Sequence, residues 1–295
     1  MRVTRHNGRS GKHGVYNPKH NDRKFDIANS EHIDAEREKQ NIYWDCYRGY
    51  VQNPSDETLR NWGPVEPEAS FHDIEKMYYE DHYSDFIKGQ NARNEKNRHP
   101  ERNRTTEDLL KNKMTCPEET IFQIGKEGEH ISGEQLFHIA DSFMKRFEGM
   151  FGDHVHILDF ALHMDETTPH IHERHVFDCE NKYGELCPQQ EKALEALGIP
   201  LPDPDKPRGR NNNRKMTFDL ICRNLLFDVC RQYGLDIEEV PEYGGKKYLE
   251  KQEFIIQAQK EKIARQEQMI KEQEEKIMDN ETLIDEVSEI AYDKA

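Results

Sequence analysis

Residues 154–177 constrain this chain more than any other stretch of it. The segment 154–163, HVHILDFALH, is too continuously apolar for a strand with one wet face, so it belongs in the middle of a sheet. A polar turn, MDETTP, returns the chain into a second strand, 170–177, and NKYG at 181–184 predicts a further antiparallel hairpin. The other patterned segments supply helices. Ser132 with Gln135 predicts a capping box, and Leu136, Ile139, Ala140, Phe143, Met144 and Phe147 recur at the three-and-four spacing of one buried face, ended by Gly152. Phe71, Ile74, Met77, Tyr78 and Phe86 predict a helix with a broad aromatic face over 70–96, after a Pro-rich stretch at 64–67. Two more helices are expected over 189–197, stopped by Gly198, and 217–233, stopped by Gly234. Residues 119–124 alternate as a strand and the opening residues form another, while 97–117 reads as a linker with a turn of helix at 107–110. The fold class is therefore α+β: an antiparallel sheet with helices packed on it.

Towards the end the pattern changes. Leu249, Ile256, Ile263, Ile270, Ile277 and Ile284 recur at a strict interval of seven, which fits a long helix with a coiled-coil seam. The partner seam positions are Gln252, Gln259, Gln266, Gln273, Asn280 and Val287, so such a seam is weak but selective for register. A solvated single helix held by Glu and Lys pairs four apart fits equally well. The expected organisation is one domain over 1–240, with a helical and loop insertion at about 53–117, then a helix over 246–295 that offers a route to a homodimer.

A formal net charge of −16 argues at first against a polyanionic partner. Its distribution reverses that. Up to Phe25 stand Arg2, Arg5, Arg9, Lys12, Lys19, Arg23 and Lys24 against Asp22 alone, whereas the last forty-five residues hold twelve acids and seven bases. Lys206, Arg208, Arg210, Arg214 and Lys215 form a second basic run without an acid. Solvated surface is the plain alternative for each run; a nucleic-acid contact is the sharper one, with Arg5, Arg9, Lys12, Lys19, Arg208 and Arg210 as its candidates. The loop 7–22, rich in Gly, Asn and bases, suits a mobile segment that wraps a ligand. Six cysteines without a C-x-x-C pair point to reduced thiols. No stretch approaches the ~20 apolar residues of a membrane span, and MRVTRHNGRS lacks a signal-peptide core, so a cytoplasmic protein is expected.

Chemistry concentrates in His163-Met-Asp-Glu-Thr-Thr-Pro-His170-Ile-His172. Residues two apart on a strand share a face, so His170 and His172 present their rings side by side, and the turn folds His163 back beside them. Three neutral imidazoles leave a bound cation's charge uncancelled and coordination positions open, as Lewis-acid work on a phosphodiester requires. Imidazole nitrogen and phosphate oxygen together favour Mn2+, with Mg2+ or another divalent ion as alternatives. Asp165 and Glu166 serve either as turn residues or as carboxylates that fix a tautomer or take a proton. By strict alternation His154 and His156 face away from His163, and His175 away from His170 and His172.

The HMDETTPHIH stretch resembles the H-x-D-E-x-x-P-H-x-H motif of the plasmid mobilisation and recombination relaxases, the Pre/Mob (MobV) group of the HUH endonucleases. KHNDR, residues 19–23, resembles the same family's H-N-x-R motif. The resemblance runs over roughly residues 1–235, and the insertion at about 53–117 is longer than in the family's better-known members. It implies an HUH relaxase-like fold and an enzyme that nicks one strand at a plasmid transfer origin, stays joined to the 5′ phosphate and later reseals the strand. The partners implied are single-stranded and hairpin DNA. The nucleophile implied is His20, with Glu166 receiving a ring N–H and Arg23 gripping a phosphate oxygen; Tyr16 and Tyr43 are the alternative nucleophiles. A rolling-circle replication initiator or transposase attacking through tyrosine, and a non-catalytic origin-binding protein, are the competing readings.

Overall fold

The computed structural model describes residues 1–12, 14–23, 33–34, 37–51, 68–126 and 128–238, with 268 and 271 as isolated positions. The chain divides into Met1–Glu239 and Val240–Ala295. The expected seven-residue seam, and the Pro-rich stretch at 64–67, lie outside the described residues.

Ten strands are described: β1 (Val3–Gly8), β2 (Ser10–Gly11), β3 (Gly14–Val15), β4 (Ile42–Asp45), β5 (Gly49–Tyr50), β6 (Glu118–Lys126), β7 (Glu129–His130), β8 (Val155–His163), β9 (His170–Glu180) and β10 (Leu186–Pro188). The helices are α1 (Phe71–Lys96), α2 (Thr106–Lys111), α3 (Gly133–Phe151), α4 (Gln190–Ala196) and α5 (Arg214–Gln232). The main sheet runs β1-β6-β9-β8-β4-β5, with β10 added to β9 and β7 to β6, and its pairings are antiparallel. The two apolar strands of the sequence, β8 and β9, are its centre, as their composition requires. The fold is an antiparallel sheet with helices packed on it.

Alternation along β9 separates two layers. Phe122, Phe160, Leu162, Ile171 and Phe177 meet the apolar stripes of α3 and α5 in the larger core. On the other face Leu158 and Val176 pack against Tyr78, Tyr79, Tyr83 and Ile87 of α1 and Leu109 and Leu110 of α2. The region expected to be an insertion is thus the second helical layer. Its buried stripe includes Tyr79 and Tyr83, leaving Met77 and Phe86 only partly covered. Full capping boxes occur at Ser70–Asp73 and Thr105–Asp108. At α3 only half of the expected box forms, Ser132 accepting from the Gln135 N–H. The start of α5 lies earlier than periodicity suggests, because Asn213 caps it by accepting from Met216 N–H.

Two local departures matter. The segment 7–22 is built rather than loose: β1 continues to Gly8, β2 and β3 form a small hairpin, and Pro18–His20 is a 3-10 turn capped by Asn17. A bulge between Ile157 and Asp159 resets the alternation of β8. His156 therefore sits opposite Val176, on the face of His172 and Arg174, where simple counting had it facing away. It has its own partner, Asp178 Oδ1 at 2.9 Å. His175 does face away, buried beside Phe147, Phe177 and Phe218. All six cysteines are free thiols, and among the described residues no helix is long and apolar enough to cross a membrane.

Candidate active site and metal centre

His163 ends β8 directly opposite His170, the first residue of β9, and His172 follows two residues on, opposite Ala161. The strand register alone therefore brings the rings together. Their centroids are 5.3 Å (His163–His170), 4.9 Å (His163–His172) and 5.0 Å (His170–His172) apart. All three residues are buried.

Each ring has one nitrogen committed to a protein oxygen. His163 Nε2 donates to the Asn21 carbonyl at 2.8 Å, His170 Nδ1 to the Thr168 carbonyl at 2.9 Å, and His172 Nδ1 to Glu119 Oε1 at 2.9 Å. These acceptors fix the tautomers and leave His163 Nδ1, His170 Nε2 and His172 Nε2 as lone pairs. His163 Nδ1 is buried with no hydrogen-bond partner. His170 Nε2 and His172 Nε2 lie 3.1 Å apart with no proton of their own to share, an arrangement that calls for a cation beside them. Burial and the neighbouring positive groups hold the His163 imidazole well below its usual range. Burial likewise lowers His170, and brings His172 down to about 4 despite the Glu119 carboxylate. Neutral rings with aimed lone pairs are the state that ligates a metal.

Glu166 supplies an anionic corner. Its Oε1 is 4.0 Å from His163 Nδ1, 3.9 Å from His170 Nε2 and 3.6 Å from His20 Nε2. Burial opposes its ionisation, but the His20 hydrogen bond, the His170 ring and Arg23 outweigh that and hold the carboxyl far below the usual range. Two overlapping groups, His20–His163–His172 and His163–Glu166–His170, have ligand atoms within 4.8 Å of one another. Donor atoms about 4 Å apart fit one ion at ~2 Å from each. The residues present fit a divalent cation, and Glu166 belongs among the groups able to hold it.

His20 is carried on the Pro18–His20 turn, its ring centroid 5.7 Å from that of His163 and 5.3 Å from that of His172. Arg23 locks this turn to the acidic one. Its Nε and Nη2 fork onto Asp165 at 2.9 and 2.7 Å, Nη2 also reaches Glu166 at 2.9 Å, and Nη1 reaches the His20 carbonyl at 3.1 Å. With its fork spent and only 5% of its surface exposed, Arg23 does not present a grip for phosphate; it joins the two motifs. Its φ of 55° is rare for a residue with a side chain, and the two-point clamp holds it there. Asn41 completes the joint, donating to Asp165 at 2.8 Å and accepting from Met164 N–H at 2.7 Å.

Behind His172 stands a relay that sequence reading missed. Glu119 uses Oε1 for His172 and Oε2 for Arg174 Nη1 at 3.1 Å, and Arg174 is paired in turn with Glu75 of α1. Arg174 is essentially inaccessible to solvent, 1% exposed. Burial opposes the charge on Glu119, yet the His172 hydrogen bond and Arg174 bring it to about 2. Nothing local marks this chain of contacts, whose members lie 55 and 99 residues apart.

The remaining expected residues divide. Lys12, Lys19, Arg208 and Arg210 are exposed. Arg5 is not: its side chain is 5% exposed and bridges Asp219 at 3.1 Å, tying β1 to α5. Arg9 lies over the Phe177 ring and donates to the Met114 carbonyl, so it too is structural rather than a surface base. Of the alternative nucleophiles, Tyr43 is 7% exposed beside Phe71, and burial pushes its hydroxyl far above the usual range. Tyr16 is 40% exposed, its ring close over Gly8 and Gly11 of the small hairpin.

No protein-family model and no curated protein matches the sequence. Among solved structures the chain is similar to Mn-bound crystal structures of the MobM relaxase domain (MOBV; Mob_Pre) bound to plasmid pMV158 oriT DNA. Against the form with 22 nucleotides and a 3′ thiophosphate at pH 6.8, identity is 16%, coverage 86% of this chain and 97% of that one, and the TM-score 0.48. Against the 23-nucleotide form at pH 6.5 the values are 15%, 88%, 98% and 0.47.

Proposed function

We propose that this protein is a divalent-metal-dependent enzyme that nicks and rejoins one strand of DNA at a plasmid transfer origin, through a covalent link to the 5′ phosphate. The reading rests on this chain's own side chains. One observation carries it: three imidazoles with ring centroids within 5.3 Å of one another, each with one nitrogen pinned, lie beside a fourth, His20, on a separate and more open segment.

His163, His170 and His172, with Glu166 beside them, hold the cation, for which Mn2+ suits the mixture of imidazole nitrogen and phosphate oxygen. When bound, it supplies positive charge to the oxygens of the scissile phosphate. The rest falls to the protein. For attack, Glu166, 3.6 Å from His20 Nε2, takes that nitrogen's N–H in place of the Arg23 Nη1 contact at 3.3 Å, and so sharpens the lone pair on the other ring nitrogen. That nitrogen attacks phosphorus, forming the P–N bond as the P–O3′ bond breaks; the ring N–H proton passes to Glu166, and O3′ takes a proton from solvent to leave as a 3′ hydroxyl. Attack of a 3′ hydroxyl on the phosphoramidate reverses the step with no nucleotide cofactor. Arg23 fixes the distance between His20 and Glu166, and Glu119, Arg174 and Glu75 fix the tautomer and angle of His172. Single-stranded and hairpin DNA are the substrates proposed, with Lys12, Lys19, Arg208 and Arg210 as phosphate contacts.

The test is cleavage of supercoiled DNA carrying the element's own transfer origin, with Mn2+ present. His20→Ala is expected to abolish nicking and leave DNA binding intact, and mass spectrometry should find the adduct on His20. Nicking that survives His20→Ala with the adduct on Tyr16 transfers the protein to the tyrosine-dependent initiators. Absence of any nicking by the metal-loaded wild type leaves a DNA-binding protein only.

A further inference from the structure

At the opposite end of the sheet, α1, the connection 97–117 and the β9–β10 hairpin enclose a cavity of about 660 Å3. Its volume is that of a small-molecule site. Its lining is unusual: five carboxamides, Gln90, Asn94, Asn112, Asn181 and Gln189, beside the Phe86 ring. Arg102 and Arg104 also line it, with one carboxylate, Asp108, whose charge is taken up by its bonds to Thr105. The amide nitrogen of Asn94 is shielded from solvent with no hydrogen-bond partner, so a turn of its side chain offers this donor to the cavity. The Arg104 guanidinium donates to the main-chain carbonyls of Glu101 and Asn103, and Arg102 is 65% exposed with one distant contact to Glu101.

The surrounding sequence is basic within a chain of net charge −16. Residues 91–104, NARNEKNRHPERNR, contain Arg93, Lys96, Arg98, Arg102 and Arg104 against Glu95 and Glu101, together with four asparagines. The walls are held at a fixed spacing. Glu185 of the hairpin takes both Nη atoms of Arg93 at 2.7 Å, and Arg93 lies over the Tyr183 ring. Gly89 permits this approach, since a Cβ there would come within 1.9 Å of Glu185 Oε1.

We infer that this cavity receives one unpaired nucleotide of the DNA, its base between the carboxamides and Phe86 and its phosphate on Arg102 and Arg104. Carboxamides read base edges, aromatic rings take base faces, and arginine forks take phosphate. From His172 to Asn181 the strand rises ~30 Å, which sets the distance along the sheet between this cavity and the candidate active site. This deepens the proposed function and rests on DNA being the substrate.

The test is fluorescence anisotropy of the full chain in EDTA with a labelled single strand of about 30 nucleotides and a blunt duplex of about 15 base pairs, which offers the cavity no unpaired nucleotide. Arg102→Glu with Arg104→Glu should weaken the long strand roughly tenfold and flatten its salt dependence by about one to one and a half log units per log unit. Asn94→Leu, which keeps the charge, should weaken it about threefold with the salt slope unchanged. Asn94→Leu should leave affinity for the duplex unaltered. Wild-type affinity of Asn94→Leu for the long strand overturns the inference, as does an equal loss of its affinity for the duplex. Nicking is scored separately with Mn2+, so a protein that nicks while these variants bind normally refutes the cavity alone. One that binds as described without nicking refutes the activity alone.

Discussion

His172 is where the chemistry and the fold meet. Glu119 fixes its tautomer, so Glu119→Gln should lower Mn2+ affinity roughly ten- to a hundredfold by isothermal titration, with the fold retained. Arg174→Met is a different case, because it strands Glu75 and Glu119 as buried carboxylates. It should cost about 3–5 kcal/mol in chemical denaturation, and unchanged stability would contradict the pairing seen here. Glu118 gives a pH signature away from the ligands. Burial opposes its charge, but Lys215 at 2.6 Å, His175 and Arg9 bring the carboxyl to about 2. A carboxyl lowered on folding stabilises the protein above its unfolded value near ~4.5, and the benefit is lost as pH falls towards 2. Glu118→Gln should therefore be roughly 2–3 kcal/mol less stable than wild type at pH 7, with the gap closing through that window. The imidazole trio was legible in sequence because two-residue periodicity and one turn place it. Glu119, Arg174 and Glu75 were not, since their association depends on strand register and on where α1 lands. Arg5 and Arg9 were misread for a related reason: basic character shows in sequence, while the acid or ring that covers it does not.

Among the elements, α1 has the largest effect on how the chain is understood. Counted along the sequence, it belongs to an extra segment; in space it is half of the covering of the central strands and carries one end of the Arg174 pairing. Ser70 caps it, accepting from the Asp73 N–H while Asp73 returns the bond. Ser70→Ala should lower stability by about 1 kcal/mol in urea titration. The central hairpin and α3 were readable because each is a long segment with one clean period. The β8 bulge was hidden, since an extra residue in a continuously apolar strand leaves the pattern unbroken while turning the face of everything before it.

For the whole molecule, metal and DNA are expected to engage different residues. At about a hundred times its dissociation constant, Mn2+ should stabilise the protein by ~2.7 kcal/mol, seen as a rise in Tm that His170→Ala removes. If His170→Ala keeps the full rise, the trio is not the ligand set. Lys19→Ala with Arg210→Ala should reduce the slope of log affinity against log salt by about 0.7 for each contact with single-stranded DNA. Arg5→Ala should instead act through stability, because it removes the tie from β1 to α5.

The carbonyl of Asn21 accepts from His163 only one residue after His20. The ring proposed to attack and the proposed cradle for the cation are thus geared to a single peptide unit, and a ligand that drags the His20 turn must also turn His163. Loading the ion and seating the substrate should consequently reinforce each other: an empty cradle leaves the nucleophile poorly aimed, and a filled one sets its direction before the DNA arrives.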